Sequence, residues 1–484
     1  MIGPDRTDQD AEARYRAERT GHWDEVARAG DRFAGLGGAY HRRLERVYRF
    51  LIPPGQRVLE LGCGRGDLLA ALQPAAGVGV DFSGEMVRRA SARHPELRFL
   101  EADAHEVDHL GETFDVVILS DLVNDAWDVQ RLFERILPLT TPRTRIVLNT
   151  YSRLWELPLA LAQKLGLARP VLHQNWLTVP DVLNLLRLSG FVPVRSWQEV
   201  LLPLPIPLLA PLCNRFLVRL WPFKHLALSN FVVARPAPRP LAEGTEEVVS
   251  VIVPARNEEG NVPNILARVP EMGAGTELIF VEGHSRDGTW EAIQREVAAR
   301  PGARIKAFRQ TGKGKGDAVR LGFSEATGGV LMILDADLTV PPEDLPRFYE
   351  VIRSGKGEFV NGVRLVYPME KEAMRFANLL GNKFFSLAFS WLLGQPIKDT
   401  LCGTKVLRRD EYERLAANRS YFGDFDPFGD FDLLFGAAKM NLQIVEVPIR
   451  YRERTYGETN IQRWRHGWLL LKMCVFAAGR IKFI

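Results

Sequence analysis

Residues 57–72 read RVLELGCGRGDLLAAL, and this stretch decides the fold of the first half of the chain. A short apolar run leads into Glu60, Gly62, Gly64 and Gly66, and a helix-length amphipathic stretch follows. The apolar run is typical of a buried β-strand, and glycines at its end permit a tight turn and the close approach of a ligand to the backbone. The stretch therefore predicts a strand, a ligand-binding turn and a helix, which is the repeating unit of an α/β sheet.

Polar residues end each of the next three predicted strands. GVGVD ends in Asp81, LRFLEADA ends in Asp103 and Ala104, and FDVVILSD passes through Ser120. Taken singly, each aspartate is explained as a helix N-cap or a solvated turn. Together, they form an edge where an acid can accept hydrogen bonds from both ribose hydroxyls. An NAD-binding Rossmann domain is the nearest alternative, but its fingerprint is G-x-G-x-x-G, whereas this turn is G-x-G-x-G.

These four strand ends resemble the class I S-adenosylmethionine-dependent methyltransferases over residues 40–235. The resemblance implies S-adenosyl-L-methionine as cofactor, with its methionine part at the glycine turn, its ribose on the acid of the second strand and its adenine beside the third. The residues that it implies for cofactor binding are Glu60, Gly62, Gly64, Gly66, Asp81, Asp103, Ala104 and Ser120. No catalytic base is indicated: several polar residues near the same edge are more often surface or packing residues. They are Asn124, Asp125, Tyr151 and His173.

The second half has the same alternation of strands and helices but different strand ends. In VVSVIVPARNEE, the end of a buried strand carries Pro254, Arg256, Asn257 and Glu258. The strand of ELIFVEGH ends in Glu282, and GKGKGDAVRLGF places Asp317 at the start of a helix. VLMILDADL then carries a strand directly into Asp335 and Asp337. An Asp-rich turn alone often caps a helix. In front of phosphate-attracting groups, two carboxylates at i and i+2 suit a hard divalent ion that bridges diphosphate oxygens.

These segments resemble the GT-A glycosyltransferases of family 2, and among them the polyprenyl phosphate sugar synthases, over residues 248–465. The resemblance implies a nucleotide-sugar donor, Mg or Mn held by Asp335 and Asp337, and Arg364 near the sugar or phosphates. The residues that it implies for nucleotide contact are Pro254, Arg256, Asn257, Glu258, Glu282 and Asp317. The run IKDTLCGTKV resembles the acceptor-side element of the family, through Asp399, Gly403 and Lys405.

The sequence departs from the family pattern at two positions: the first bears on ribose geometry or nucleotide choice, and the second removes a positive charge. Glu282 stands where an aspartate is common, and Asn460 stands where the synthases usually have a lysine that meets diphosphate, so Arg454 or Arg463 is expected to replace it. A lipid phosphate acceptor is already anionic near pH 7 and requires no strong general base. If the acceptor were a sugar hydroxyl, the candidate bases would be the acids of YFGDFDPFGDFD, namely Asp424, Asp426, Asp430 and Asp432.

Chain length and a proline-rich segment indicate where one domain ends and the next begins. A chain of 484 residues accommodates about two to four domains. The proline-rich run RPAPRPLAEGTEE is typical of an extended spacer. We therefore expect an α/β fold with a Rossmann-like methyltransferase sheet followed by a GT-A sheet. The expected boundaries are an N-terminal extension 1–39, a methyltransferase domain 40–235, a linker 236–247 and a glycosyltransferase domain 248–484.

Composition excludes other classes. Hydrophobic residues at 46% and charged residues at 25% are typical of a folded protein, and Lys+Arg 63 against Asp+Glu 59 gives no nucleic-acid footprint. The four cysteines are far apart and suggest neither a zinc site nor disulfides. The charged N-terminus argues against a signal peptide, so a cytoplasmic location is expected.

No stretch is apolar and long enough to predict a membrane span. Three shorter apolar segments, LLPLPIPLLAPLC, FFSLAFSWLLG and WLLLKMCVFAA, are explained equally well by core packing and by contact with the inner face of a membrane. The first lies between the last two predicted strands of the methyltransferase half, where we expect it to face a lipid-linked acceptor.

The sequence thus predicts a bifunctional enzyme. One half would transfer methyl groups from S-adenosyl-L-methionine, and the other would transfer a sugar, with inversion, to a polyprenyl phosphate or another lipid-linked or glycan acceptor. The alternative is a glycosyltransferase whose S-adenosylmethionine- or NAD-binding domain is a non-catalytic scaffold in a membrane assembly.

Overall fold

A computed structural model gives the fold of the chain. It describes residues 6–29, 34–166, 168, 171–238, 246–364, 366–367, 376–418, 430–452, 454, 456 and 463–483. The chain divides after Ala237 into two compact units, within the segment expected to be a linker.

The first unit contains a seven-stranded sheet with the order β3-β2-β1-β4-β5-β7-β6. Its strands are β1 (Arg57–Leu61), β2 (Ala76–Asp81), β3 (Arg98–Glu101), β4 (Phe114–Ser120), β5 (Thr140–Tyr151), β6 (Phe191–Glu199) and β7 (Ser229–Pro236). Strands β1 to β5 are parallel, and β7 runs antiparallel to both of its neighbours. The carboxyl ends of β1, β2, β3, β4 and β5 therefore meet at one edge.

Helices cover both faces of this sheet. They are α1 (Arg6–Ala29), α2 (Ala34–Leu51), α3 (Asp67–Ala71), α4 (Gly84–Arg93), α5 (Val129–Ile136), α6 (Glu156–Lys164), α7 (Val179–Leu188) and α8 (Leu209–Pro211). Strand β4 shows why two layers form: Val117 and Leu119 pack in one core, and Val116 and Ile118 pack in the other. Successive strand residues point to opposite faces, so a continuous apolar strand requires cover on both.

The second unit contains another seven-stranded sheet with the order β10-β9-β8-β11-β13-β12-β14. Its strands are β8 (Val249–Ala255), β9 (Thr276–Glu282), β10 (Ile305–Arg309), β11 (Val330–Ile333), β12 (Phe359–Val363), β13 (Lys405–Arg408) and β14 (Ile444–Pro448). Strand β13 runs antiparallel to β11 and β12, and the other pairs are parallel. The carboxyl ends of β8, β9 and β11 thus share an edge.

The helices of this unit are α9 (Val262–Arg268), α10 (Thr289–Ala298), α11 (Lys315–Glu325), α12 (Leu345–Arg353), α13 (Phe376–Leu393), α14 (Arg409–Ala417), α15 (Asp430–Lys439) and α16 (Arg463–Ala477). Val251 and Val253 of β8 pack in one core, and Ile252 packs in the other.

The predicted fold class, two α/β domains, is confirmed. The alternation had suggested parallel sheets, whereas each sheet contains one reversed strand. A reversed strand needs no crossover helix, and the apolar segment between β6 and β7 replaces one. In the part of the chain that the structure describes, no helix is both long and apolar enough to span a membrane.

Candidate functional site

The glycine turn after β1 forms an open cradle. Gly62, Gly64 and Gly66 all have positive φ angles, of 71°, 50° and 72°. A Cβ at Gly66 would collide with the Phe99 ring at 2.5 Å, whereas a Cβ at Gly64 would meet no atom within 4 Å. Glycine is therefore required by backbone conformation at all three positions, and at Gly64 the backbone borders open space.

Asp81, at the end of β2, is tied to this turn. Its carboxylate accepts hydrogen bonds from the backbone N–H of Gly64 at 2.8 Å and of Ser83 at 2.9 Å. Burial raises the pKa of Asp81 above its ordinary value, and the two backbone donors oppose that rise. The carboxylate is thus held at the strand edge, beside the glycine turn.

Glu60 lies beneath the turn. Its side chain is buried, with 2% exposed, and its Oε2 has no hydrogen-bond partner within the described residues. Burial raises the pKa of Glu60 to about 8. A buried polar atom without a partner is rare in proteins. The open space at Gly64 and this unsatisfied oxygen both fit a ligand with hydrogen-bond donors, as S-adenosyl-L-methionine is.

The raised pKa of Glu60 leads to a stability prediction. A folded-state value of about 8 lies above the ordinary 4.5, so the folded protein binds the extra proton and loses stability as the pH rises from about 4.5 to 8. Glu60→Gln removes this loss. We expect the melting temperature of the variant to exceed that of the wild type at pH 8, by a margin that shrinks toward pH 5, in thermal scans without cofactor. Glu101→Gln, which changes an exposed glutamate at the end of β3, is the control and should match the wild type at both pH values.

Asp103 and Ala104 follow β3. Asp103 accepts hydrogen bonds from the backbone and ring of His105, and its other oxygen pairs with Arg16 at 2.7 Å. Despite burial, His105 and Arg16 hold the pKa of Asp103 below its ordinary value. Ala104 is buried at the start of a short 3-10 helix, and Ser120 ends β4 opposite Asn149. All the predicted cofactor residues therefore lie along the carboxyl edge of this sheet.

Helix α1 lies across this edge, a position that no sequence pattern predicts. Besides Arg16 on Asp103, Arg19 pairs with Asp125 at 2.8 Å, and Asp24 accepts a hydrogen bond from Ser83. Arg131 of α5 forms an ion pair with Glu12 of α1 at 3.0 Å. These contacts are polar and join residues far apart in sequence, so no hydrophobic pattern could reveal them.

A polar cluster occupies the corner between β4, β5 and β7. Asp121 follows Ser120 with φ 57°, a conformation uncommon outside glycine. The Tyr40 hydroxyl donates to Asp121 Oδ1 at 2.8 Å, and the Asn149 amide donates to the same oxygen. Tyr40 also lies 3.1 Å from Ser229 Oγ. Burial raises the pKa of Asp121 to about 7, although both donors oppose the rise.

The residues considered as bases near this edge have structural partners. Asn124 accepts from the Tyr151 N–H and donates to the Asn175 carbonyl, and Asp125 is held by Arg19 and Trp23. The carbonyl of His173 accepts from Arg19, while its ring is exposed. Asp121, one residue beyond a predicted site residue, is the acid that the sequence reasoning passed over.

In the second unit, the predicted carboxylates meet two cations. Lys315, at the start of α11, pairs with Asp335 at 2.6 Å. Arg454 pairs with Asp337 at 2.7 Å and with Glu258 at 3.1 Å. Although burial opposes ionisation, Lys315 holds the pKa of Asp335 below its ordinary value. Burial raises the pKa of Glu258 to about 7, against the attraction of Arg454.

The residues predicted to contact the nucleotide surround this group. Pro254 lies in β8, and Arg256 and Asn257 follow that strand, with Arg256 exposed and Asn257 at φ 57°. Glu282 ends β9 and accepts from the Ser285 N–H, and Asp317 accepts from the Gly312 N–H at 3.1 Å. These residues lie at the carboxyl edge of the second sheet or at the start of a helix beside it.

Arg364, predicted to lie near the sugar or phosphates, pairs with another aspartate of the same unit. It makes a bidentate pair with Asp399, at 2.7 and 2.8 Å. Asp399 belongs to the expected acceptor-side run, and Gly403 of that run packs so closely against Asp335 and Lys315 that a Cβ would overlap both. Arg364 thus orients the loop that approaches Asp335.

The donor set around Asp335 and Asp337 suits a hard divalent cation only together with a substrate. Among the described residues, no group of three or more His, Cys, Asp or Glu side chains is arranged to hold a metal ion by itself. Mg²⁺ is commonly held by one or two carboxylates plus substrate phosphates, and two carboxylates are present here. Asp424, Asp426 and Asn460 lie outside the described residues, as do the side chains of Asp430 and Arg463, and Asp432 is buried in α15.

Comparison with known proteins supports the predicted class of each half of the chain. A methyltransferase domain model matches residues 58–143, and the glycosyl transferase family 2 model matches residues 250–416. Dolichyl-phosphate hexose transferase of Haloferax volcanii is 30% identical over 236 residues, covering 49% of this chain and 96% of the relative. Dolichol-phosphate mannosyltransferase of Pyrococcus furiosus is 32% identical over 220 residues, covering 44% of this chain. The chain spans 59% of that relative's length.

A solved S-adenosylmethionine-dependent methyltransferase from Thermotoga maritima matches with 14% identity and a TM-score of 0.37, over 44% of this chain and 97% of that one. Two α/β sheets with different polar edges define a two-domain transferase. Through its second half the chain belongs to glycosyl transferase family 2, and its first half carries a methyltransferase domain.

Proposed function

We propose that the second unit transfers a sugar from a nucleotide sugar to a polyprenyl phosphate, and that the first unit transfers a methyl group from S-adenosyl-L-methionine. The observation that carries the proposal is the placement of Asp335 and Asp337 between Lys315, Arg454 and Glu258 at one sheet edge. The names of the relatives, which specify dolichol and dolichyl phosphate, support the acceptor class.

In sugar transfer, Asp335 and Asp337 would hold Mg or Mn, which neutralises charge on the departing diphosphate when bound. Arg454 now pairs with Asp337 and Glu258, and Lys315 pairs with Asp335. With these carboxylates engaged in that way, Lys315 and Arg454 would be able to pair with the phosphates of the donor. Arg454 would thus provide the positive charge that Asn460 lacks.

In methyl transfer, the glycine turn, Asp81 and Asp103 would hold the cofactor, which supplies an electrophilic methyl group. Positioning lowers much of the barrier of such a displacement. Asp121 is partly exposed, and within the described residues its hydrogen bonds fall on Oδ1. Its Oδ2 would accept the proton of a hydroxyl or amine acceptor, and Tyr40 and Asn149 would stabilise the carboxylate as an acceptor-side base.

The test is a screen of nucleotide sugars with Mn or Mg against polyprenyl phosphates in detergent, with products read by mass spectrometry. We expect one nucleotide sugar to give a lipid phosphosugar. Hydrolysis of the donor without a lipid product, across all acceptors, would overturn the proposed acceptor class. Formation of S-adenosylhomocysteine when S-adenosyl-L-methionine is added to the same mixtures would support the second activity.

A further inference from the structure

The first unit exposes an unusually apolar surface. Among the described residues of this unit, every exposed large apolar side chain except Trp127 and Leu188 lies in 154–165 or 204–226. The exposed fractions are 81% for Leu157, 88% for Leu208 and 78% for Trp221. We call the exposed side chains of these two segments the apolar face. Contiguous apolar patches of this kind mark contact sites with membranes or proteins.

The two segments of the apolar face are neighbours. The Trp155 indole donates to the Leu226 carbonyl at 2.9 Å, and the Ser152 N–H donates to the Leu228 carbonyl at 2.7 Å. The apolar side chains of α6 and of the segment between β6 and β7 therefore belong to one continuous surface.

This surface begins at the methyltransferase site. Tyr151 ends β5 and pairs in register with Ser229 of β7, which pairs with Glu199 at the end of β6. Both segments of the apolar face thus leave the sheet at one corner, on the edge where β4 and β5 end. Ser229 also contacts Tyr40, the donor to Asp121.

The charge of the apolar face favours an anionic partner. Residues 200–228 contain no aspartate or glutamate, whereas Arg215 is exposed and Lys224 is half-buried. In the other segment, Lys164 is exposed at the end of α6, and Glu156 is the only acid. Tryptophan, leucines and bordering basic residues together are typical of surfaces that lie at the interface of an anionic bilayer.

We propose that the apolar face inserts into an anionic lipid bilayer and presents the Asp121 corner to a lipid-linked methyl acceptor. This inference rests on the proposed methyl transfer for its second part only. Bilayer contact also explains why the segment 204–226 is so apolar. Most of its large side chains are exposed and pack neither on the sheet nor on the cofactor cradle.

Vesicle binding by the whole chain cannot test this inference by itself. Helices α13 and α16 of the second unit also expose apolar side chains, with Leu387 at 73% and Val475 at 69%. The test must therefore report on a position in the apolar face. Cys63, Cys402 and Cys474 are buried, so a Cys213→Ser background leaves the surface clear for one introduced cysteine.

The experiment compares a bimane label at Leu157→Cys with the same label at Leu188→Cys. Both leucines are exposed on helices of the first unit, but Leu188, at 61%, lies outside the apolar face. The full chain is mixed with vesicles of phosphatidylcholine, with and without phosphatidylglycerol, that carry nitroxide lipids. We expect a blue shift and nitroxide quenching at position 157 only, and more of both with phosphatidylglycerol.

Two results would overturn the inference. The first is a label at position 157 that stays in water while the protein is bound to vesicles, which would indicate that a protein and not a bilayer covers the apolar face. The second is equal quenching of the labels at positions 157 and 188. Sugar transfer and S-adenosylhomocysteine formation are measured on the same labelled protein. Active protein with an aqueous label contradicts only the docking surface, whereas inactive protein with an inserted label contradicts only the proposed function.

Discussion

Asp337→Asn is expected to reduce sugar transfer by about 10²–10³-fold, the loss typical when one group that stabilises charge in the transition state is removed. The carboxylate lies in the turn that follows β11, two residues beyond Asp335, and pairs with Arg454 at 2.7 Å. The amide keeps the shape of the side chain but loses the charge that would hold a divalent ion. Turnover is measured at saturating nucleotide sugar and polyprenyl phosphate, over a series of Mn or Mg concentrations.

The control is Asp344→Asn, which changes an aspartate at the start of α12 that pairs with Arg347 on the surface. It should keep wild-type turnover. Binding of S-adenosyl-L-methionine to Asp337→Asn, measured by calorimetry, should be unchanged, and Asp81→Asn should show the opposite pattern. Wild-type sugar transfer in Asp337→Asn, with unaltered metal dependence, would refute the role of the aspartate pair.

The strand ends could be predicted from sequence because their signal is local. An apolar run that leads directly into a polar residue predicts both a strand and the sheet edge at which that residue lies, as for Asp81, the last residue of β2, and Asp335, two residues after β11. Parallel pairing then collects these residues without further information. The order of the strands and the reversal of β7 and β13 depend on long-range pairing, and no local pattern specifies them.

Helix α1 shows what local patterns miss. Its Arg16 pairs with Asp103 and its Arg19 pairs with Asp125, and both partners are distant from the helix in the sequence. Charged residues on a hydrophilic helix are normally a solvated face, so their sequence gives no sign of partners. Only the fold reveals that the expected N-terminal extension contains groups at the cofactor edge.

Arg454 is one of the two cations, with Arg463, that the sequence offers in place of the lysine missing at position 460. The structure describes it against Asp337 and Glu258, on the carboxylate side of the site. That Arg454 replaces the lysine at the diphosphate stays a prediction, and its pairing with two carboxylates could not be read from the sequence.

Asp121→Asn is expected to lower the rate of methyl transfer by about 10²-fold or more, the usual contribution of a positioned general base. The pKa of Asp121 is about 7, so the wild-type rate should rise as the pH passes through that value and the carboxyl loses its proton. The variant cannot lose this proton and should give a flat profile. Single-turnover formation of S-adenosylhomocysteine between pH 5.5 and 8.5 measures the rate profiles of the wild type and of the variant.

Stability separates this role from a structural one, because it changes in the opposite direction. A folded-state pKa of about 7, above the ordinary 3.8, means that the folded protein loses stability as the pH rises through that range, so Asp121→Asn should melt higher than the wild type at pH 8. Tyr40→Phe removes a donor that stabilises the carboxylate and should move the midpoint of the rate profile upward. Asp115→Asn, exposed at the opposite end of β4, is the control. A variant at position 121 that loses both rate and melting temperature would assign Asp121 to the framework of the site instead.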